Sequence, residues 1–142
     1  MPVTTELRVR YAETDQMGIV YYANYFVWFE LGRVELLRSL GLAYSRLEKD
    51  HGCILPVVSA HCRYRAPARY DDEIQIETTP AMLRGSVLKF AYEIYRKPAQ
   101  KGTGRKLLLA EGETVHVVCD DQLNRKPLPP KYAAALRALM GQ

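Results

Sequence analysis

Apolar and polar residues alternate at the start of the chain. From Thr4 to Tyr11, Leu7, Val9 and Tyr11 fall on one side and Arg8 and Arg10 on the other, the two-residue period of a strand with one covered face. The period breaks over Ala12 to Tyr21, a loop that contains Thr14, Asp15 and Gly18. From about Asn24 to Leu40 the pattern is helical, and Gly41 supplies a C-terminal stop. The first half of that segment, Tyr25-Phe26-Val27-Trp28-Phe29, is apolar nearly all round, whereas Glu30, Arg33, Glu35 and Arg38 bring in polar positions later. This predicts a long helix whose start is enclosed by other elements.

A short second helix is expected over Ala43 to Asp50, ending near Gly52. Four β segments follow: Val57 to Tyr64, Glu73 to Leu83, Val87 to Lys97 and Leu107 to Cys119. Alternation is clearest in Ile74, Ile76 and Thr78, and in Phe90, Tyr92 and Ile94 against Ala91, Glu93 and Tyr95. Arg96 to Arg105 is polar and rich in breakers, and reads as a hairpin loop between two of the strands. After Pro127, Pro129 and Pro130, Lys131 to Met140 reads as an alanine-rich terminal helix. The order is therefore strand, long helix, short helix, four strands, helix. An antiparallel sheet of five strands curled around the long helix would cover it, an α+β arrangement. A doubly wound parallel sheet is excluded, because no crossover helices separate the later strands. Without repeats or a linker, residues 1–142 read as a single domain.

Composition narrows the function. With 142 residues, 48% of them hydrophobic, the chain can bury a core without a disulfide or metal staple. It has no apolar run of eighteen residues, and Met1 to Leu7 lacks a basic region followed by an apolar one, so no membrane span or secretory leader is expected and the default compartment is cytoplasmic. Cys53, Cys62 and Cys119 are odd in number and form no CxxC pair, the pattern of reduced thiols. The net charge of +4 favours an anionic partner. The basic residues are scattered, with neither a dense run nor a nucleic-acid motif, and a phosphorylated small molecule, which needs only a few such groups, fits the charge as well as RNA would.

Standard nucleophile and cofactor motifs are missing: there is no GxSxG elbow, no P-loop and no GxGxxG turn. His51, His61 and His116 do not sit at metal-ligand spacing and read as structural, with no metal and no cofactor expected. What remains is the loop around Asp15. It places a carboxylate just ahead of a helix start, where unpaired backbone N–H groups carry partial positive charge. Such amides stabilise an oxyanion, and a carboxylate beside them can attack a carbonyl or activate water. Gly18 would allow the turn between the two.

The residues Tyr11, Asp15, Gly18, Val20, Tyr21, Asn24, Tyr25, Phe29, Glu30, Arg33 and Glu35 resemble, in register, the opening motif of hotdog acyl-CoA thioesterases of the 4-hydroxybenzoyl-CoA thioesterase type, including their Tol–Pal-associated relatives. The resemblance continues through Ala66-Pro67-Ala68-Arg69-Tyr70-Asp71-Asp72-Glu73-Ile74-Gln75-Ile76-Glu77-Thr78, and more loosely at Arg84-Gly85-Ser86 and Ala110-Glu111-Gly112. It implies a hotdog fold assembled as a homodimer or homotetramer with active sites near the interface, and hydrolysis of an acyl-CoA to a carboxylic acid and free coenzyme A. By the same resemblance Asp15 is nucleophile or general base, and the backbone N–H of Tyr22 binds the thioester oxygen. Tol–Pal-type relatives often have histidine at the Tyr22 position, so here the chain departs from that branch. Tyr11 and Gly18 would contact substrate, and Arg84, Ser86, Arg125 and Lys126 the nucleotide part of coenzyme A, where guanidinium and ammonium groups suit phosphate. Two alternatives stand beside this reading. One is a hotdog module that holds acyl-CoA or an acyl-carrier protein without turnover; the other is a hydratase, which would pair the carboxylate with a histidine that this loop lacks.

Overall fold

The computed structural model describes residues 2–99 and 104–141, so residues 100–103 of the expected hairpin loop lie outside the described residues. In chain order the elements are β1 (Val3–Arg8), a 3-10 turn (Tyr11–Glu13), α1 (Asn24–Ser39), α2 (Tyr44–His51), β2 (Val57–Tyr64), β3 (Glu73–Arg84), β4 (Val87–Arg96), β5 (Leu107–Val117) and α3 (Pro130–Leu139). The five strands form one antiparallel sheet in the order β1-β3-β4-β5-β2, with α1 packed on its inner face. This is the expected α+β arrangement.

The first strand is shorter than its alternation suggests. It ends at Arg8, and Tyr11 opens a 3-10 turn instead of continuing the ladder. The reason is local: the Arg10 backbone N–H, on the side away from β3, donates 2.9 Å to Glu13 Oε1, closing a 3-10 turn that carries Tyr11 out of line with the strand. At the other end of the chain β5 stops at Val117, because Cys119 pairs instead with Ile54 in the segment before β2.

On α1 the buried residues are Tyr25, Trp28, Phe29, Gly32, Leu36 and Leu37, spaced by three and four so that they share one face. Against that face stand Ile74, Ile76 and Thr78 of β3, Leu88, Phe90, Tyr92 and Ile94 of β4, and Leu109 and Thr114 of β5. Phe29 stacks on Tyr92 with ring centroids 4.2 Å apart and planes 8° from parallel. Two glycines permit this close approach. A Cβ on Gly32 would lie 2.3 Å from Thr78 Oγ1, and one on Gly112 would lie 2.2 Å from the His61 carbonyl oxygen and 2.8 Å from the Phe29 ring. The helix start is less enclosed than its composition predicts: Phe26 is half-buried and Val27 is 54% exposed, since the sheet covers one face of α1 only.

A hydrogen-bonded chain runs beneath the middle of α1. Leu55 O is 2.9 Å from His116 Nδ1, and His116 Nε2 is 2.8 Å from Thr114 Oγ1. A carbonyl can only accept, so Nδ1 carries the proton and Nε2 accepts from Thr114. The Thr114 oxygen then receives the Tyr92 hydroxyl proton at 2.7 Å, and Arg33 approaches Tyr92 Oη at 3.5 Å. This chain needs neutral imidazole. Burial lowers the His116 pKa to about 4, against a smaller opposing effect of its bond to Leu55.

The unfolded chain takes up a proton at this histidine near its ordinary pKa of about 6.5, before the folded one does. Stability should therefore be full above about pH 6.5 and fall by roughly 2–3 kcal/mol as the pH drops through 4. Urea unfolding at a series of pH values should show that decline in the wild type and a flatter profile in His116→Gln.

Candidate active site

The loop after the 3-10 turn is held closed by its own backbone. Thr14 and Val20 form an isolated antiparallel bridge, the Asp15 N–H donates 2.9 Å to Ile19 O, and the Gly18 N–H donates 3.0 Å to Asp15 O. Gly18 takes φ +80°, which a β-carbon would disfavour. Within this tight turn Asp15 Oδ1 accepts the Met17 N–H at 2.9 Å, an Asx-type bond that fixes the carboxylate's orientation. Asp15 is half-buried and makes no ion pair with any described residue. Its charge reaches the neighbouring Tyr21, whose hydroxyl pKa is raised first by a hydrogen bond with Tyr22 and least by Asp15.

Glu13 ties this loop to α1. Its side chain is 6% exposed, and its two oxygens serve different donors: Oε1 accepts the Arg10 N–H and Oε2 accepts Trp28 Nε1–H, both at 2.9 Å. Its backbone carbonyl accepts both the Tyr21 N–H and Asn24 Nδ2–H, again at 2.9 Å. Both ends of the Asp15 loop and the first turn of α1 thus converge on one residue. The sequence reading gave Glu13 no role. Its one linear signal is an acidic residue three positions after Arg10, the spacing of a reciprocal cap.

At the start of α1 the donors divide. The Tyr21 N–H is used by Glu13 and the Asn24 N–H by Tyr21 O at 2.9 Å. The N–H groups of Tyr22 and Ala23 have no acceptor among the described residues, as expected for the leading amides of a helix. Beside them lies an open cleft of about 340 Å³, lined by Ile19, Val20, Tyr22, Tyr25, Tyr64, Arg65, Ala66 and Pro67. Its walls are mostly apolar, and Arg65, its one ionic side chain, is engaged by Glu111. Asp15 is not one of the lining residues; its backbone N–H bonds the carbonyl of Ile19, which is. Tyr11 stands farther out: its ring is 76% exposed and packs on Tyr70 at 5.4 Å, and it does not line the cleft.

Arg84, Ser86, Arg125 and Lys126 gather elsewhere. Ser86 O accepts the Val118 N–H at 2.7 Å, Val118 O accepts the Lys126 N–H at 3.1 Å, and Arg125 pairs with Cys119. This cluster sits at the Arg84 end of β3, whereas the Asp15 loop sits at the Glu73 end, where Val9 bonds Asp72 and Val20 bonds Ala68. The twelve residues of β3 separate the two by about 35 Å of strand. One protomer therefore does not bring the two predicted groups together. The side chains of Arg84 and Arg125 are exposed and make no hydrogen bond or ion pair among the described residues. His61 is exposed on β2 and His116 buried in the core. Among the described residues, no group of three or more His, Cys, Asp and Glu side chains could hold a metal ion, and no helix is long and apolar enough to cross a membrane.

The Glu13 junction makes a prediction that needs no knowledge of substrate. In Glu13→Gln the amide nitrogen must face either the Arg10 or the Trp28 donor, leaving one buried N–H unsatisfied, at a cost of about 1–3 kcal/mol. Trp28 is the only tryptophan, so its fluorescence reports on the junction directly. The variant should unfold at lower denaturant and shift the native emission maximum.

Comparisons with known proteins identify the family and the fold. Residues 9–136 match the thioesterase-like superfamily. A putative acyl-CoA thioesterase of Bacillus subtilis, YneP, is 38% identical over 123 residues, 87% of this chain and 83% of its own length. The acyl-CoA thioester hydrolase YbgC of Escherichia coli is 34% identical over 133 residues, 92% of each chain. The crystal structure of a 1,4-dihydroxy-2-naphthoyl-CoA thioesterase from Synechocystis superposes with a TM-score of 0.84 at 26% identity, covering 99% of this chain and 98% of that one. The five-stranded sheet around α1 is thus a hotdog, and the chain belongs to the thioesterase-like superfamily.

Proposed function

We propose that this protein is an acyl-CoA thioesterase in which Asp15 supplies the carboxylate and the free amides at the start of α1 hold the thioester oxygen. The observation that carries the reading is an aspartate that makes no ion pair with any described residue, in a loop bonded to Ile19 of an apolar cleft, together with helix-start N–H groups beside that cleft that have no acceptor among the described residues. An acyl group in the cleft would present its carbonyl oxygen to the Tyr22 and Ala23 amides, where negative charge develops as the carbon becomes tetrahedral. Asp15 either adds to that carbon itself or takes a proton from the water that does. Collapse of the intermediate breaks the C–S bond and expels the coenzyme A thiolate. Direct attack leaves a mixed anhydride on Asp15, which water then opens; the water route gives the acid at once. Both routes need the same ionised carboxylate.

The coenzyme A part calls for a second copy. β2 is a free edge of the sheet, and seven of its eight residues are exposed. An antiparallel partner strand added there would satisfy its open N–H and C=O groups. It would also lay the Val57 end of each β2 beside the Tyr64 end of the other. The Val57 end carries Arg125 and Lys126, and the Tyr64 end carries the cleft. In this arrangement Asp15, Tyr22 and Gly18 come from one protomer, and Arg84, Ser86, Arg125 and Lys126 from the other.

Two measurements test these points. Asp15→Asn should keep the fold and lose at least about 100-fold in kcat for acyl-CoA hydrolysis, monitored by thiol release; turnover equal to wild type would remove Asp15 from the chemistry. Unfolding and refolding Asp15→Asn together with an Arg125→Glu/Lys126→Glu chain should restore about a quarter of wild-type activity at low substrate. Half of the dimers are then mixed, and each mixed dimer has one intact composite site. A site built within one protomer predicts no recovery at all.

A further inference from the structure

We infer that Tyr64, the last residue of the edge strand β2, is a positioning residue that aims the oxyanion-binding peptide at the start of α1; the inference rests on the thioesterase reading above. The Tyr64 hydroxyl donates to the Tyr22 carbonyl oxygen at 2.9 Å. That oxygen otherwise receives only the Tyr25 N–H, at a long 3.3 Å. The Tyr22 carbonyl and the Ala23 N–H belong to the same peptide unit and point in opposite directions across it. A hydroxyl that fixes the oxygen therefore fixes where the free Ala23 N–H points. The same bond draws electron density toward the carbonyl oxygen and makes that N–H a stronger donor.

The placement of the ring supports this role over that of a simple staple. Tyr64 is 42% exposed and lines the cleft, so its hydroxyl is spent at the site and not in the core. Its ring stands edge-on to Tyr22 at 6.5 Å and to Tyr25 at 5.0 Å, contacts that phenylalanine would preserve. Burial, then the neighbouring Cys62, raises its hydroxyl pKa well above the usual value, so the group stays a donor throughout the working range of pH. Because β2 is also the free sheet edge, any strand that pairs with it bears directly on the residue that aims the peptide.

The test compares wild type, Tyr64→Phe and Asp15→Asn with benzoyl-CoA and a short aliphatic acyl-CoA as probes. Tyr64→Phe should lower kcat by about 3- to 30-fold, of the order of one hydrogen bond and below the roughly 100-fold or more that follows loss of a direct oxyanion donor. KM should stay within about twofold and the thermal midpoint close to wild type, with the pH profile unmoved because the hydroxyl does not titrate in range. A kcat within twofold of wild type, or a loss confined to KM, overturns the inference while Asp15→Asn remains inactive. If a merely structural bond had been lost, the midpoint would fall and Tyr64→Phe activity at low temperature would return to the wild-type value. No hydrolysis by the wild type, or full turnover by Asp15→Asn, overturns the thioesterase reading itself, and this inference with it.

Discussion

The seating of α1 in the sheet is the constraint on which the other features depend. Helix and sheet approach through two missing side chains, Gly32 on the helix and Gly112 on β5, and the stacked pair Phe29–Tyr92 fixes the helix between them. A helix so placed cannot slide or roll without driving its backbone into the Thr78 and Ile76 side chains or the Phe29 ring into the β5 backbone, because close-packed interiors do not deform by small continuous amounts. Thr78 Oγ1, facing Gly32, is the buried side-chain oxygen without a hydrogen-bond partner among the described residues, which shows how far the close approach prevails over local polar satisfaction. Because the helix is fixed along its length, its first amides are fixed as well. That is what preorganised charge stabilisation requires: the donors are in place before any charge appears.

The first turn of α1 is held from two directions, and neither hold comes from the helix itself. From one side Glu13 takes donors from Arg10, Trp28, Tyr21 and Asn24. From the other, Tyr64 reaches across from β2 to the Tyr22 carbonyl. The N-cap residue, Ala23, offers no side-chain acceptor. A cap side chain at that position would reach the N–H of Tyr25 or Phe26, which already bond Tyr22 O and Ala23 O, so the Tyr22 and Ala23 amides depend on tertiary contacts for their placement.

How much of this was legible in the linear sequence follows from the range of each interaction. Strand alternation in Phe90, Tyr92 and Ile94 and the helical spacing of Tyr25, Trp28 and Phe29 are local patterns, and the structure has the strands and helix that they predict. β1 ends earlier than its alternation suggests because a side chain caps the turn that follows it, and no two-residue period records that. Glu13 and Tyr64 were missed for the same kind of reason. Their partners lie 15 and 42 residues away in sequence, and each is an ordinary residue until the fold brings the other atom to it. The separation of Asp15 from Arg84 and Arg125 was equally hidden. Adjacency in a family motif says nothing about which end of a twelve-residue strand each part occupies.

Glu13 and Asp15 show how environment assigns work to chemically similar groups. They are two residues apart, both acidic and both near the start of α1. Each Glu13 oxygen is occupied by a fixed donor from a different element, and its side chain is buried. Releasing either oxygen to meet a substrate would strand a donor, so this carboxylate suits holding and not reacting. Asp15 spends one oxygen on the Met17 amide within its own loop and leaves the other without a bond to any described residue. The single bond orients the group without consuming it. The proposed role needs that combination of fixed direction and a free oxygen: the loop's own backbone bonds fix the direction, and Glu13 ties the loop to α1.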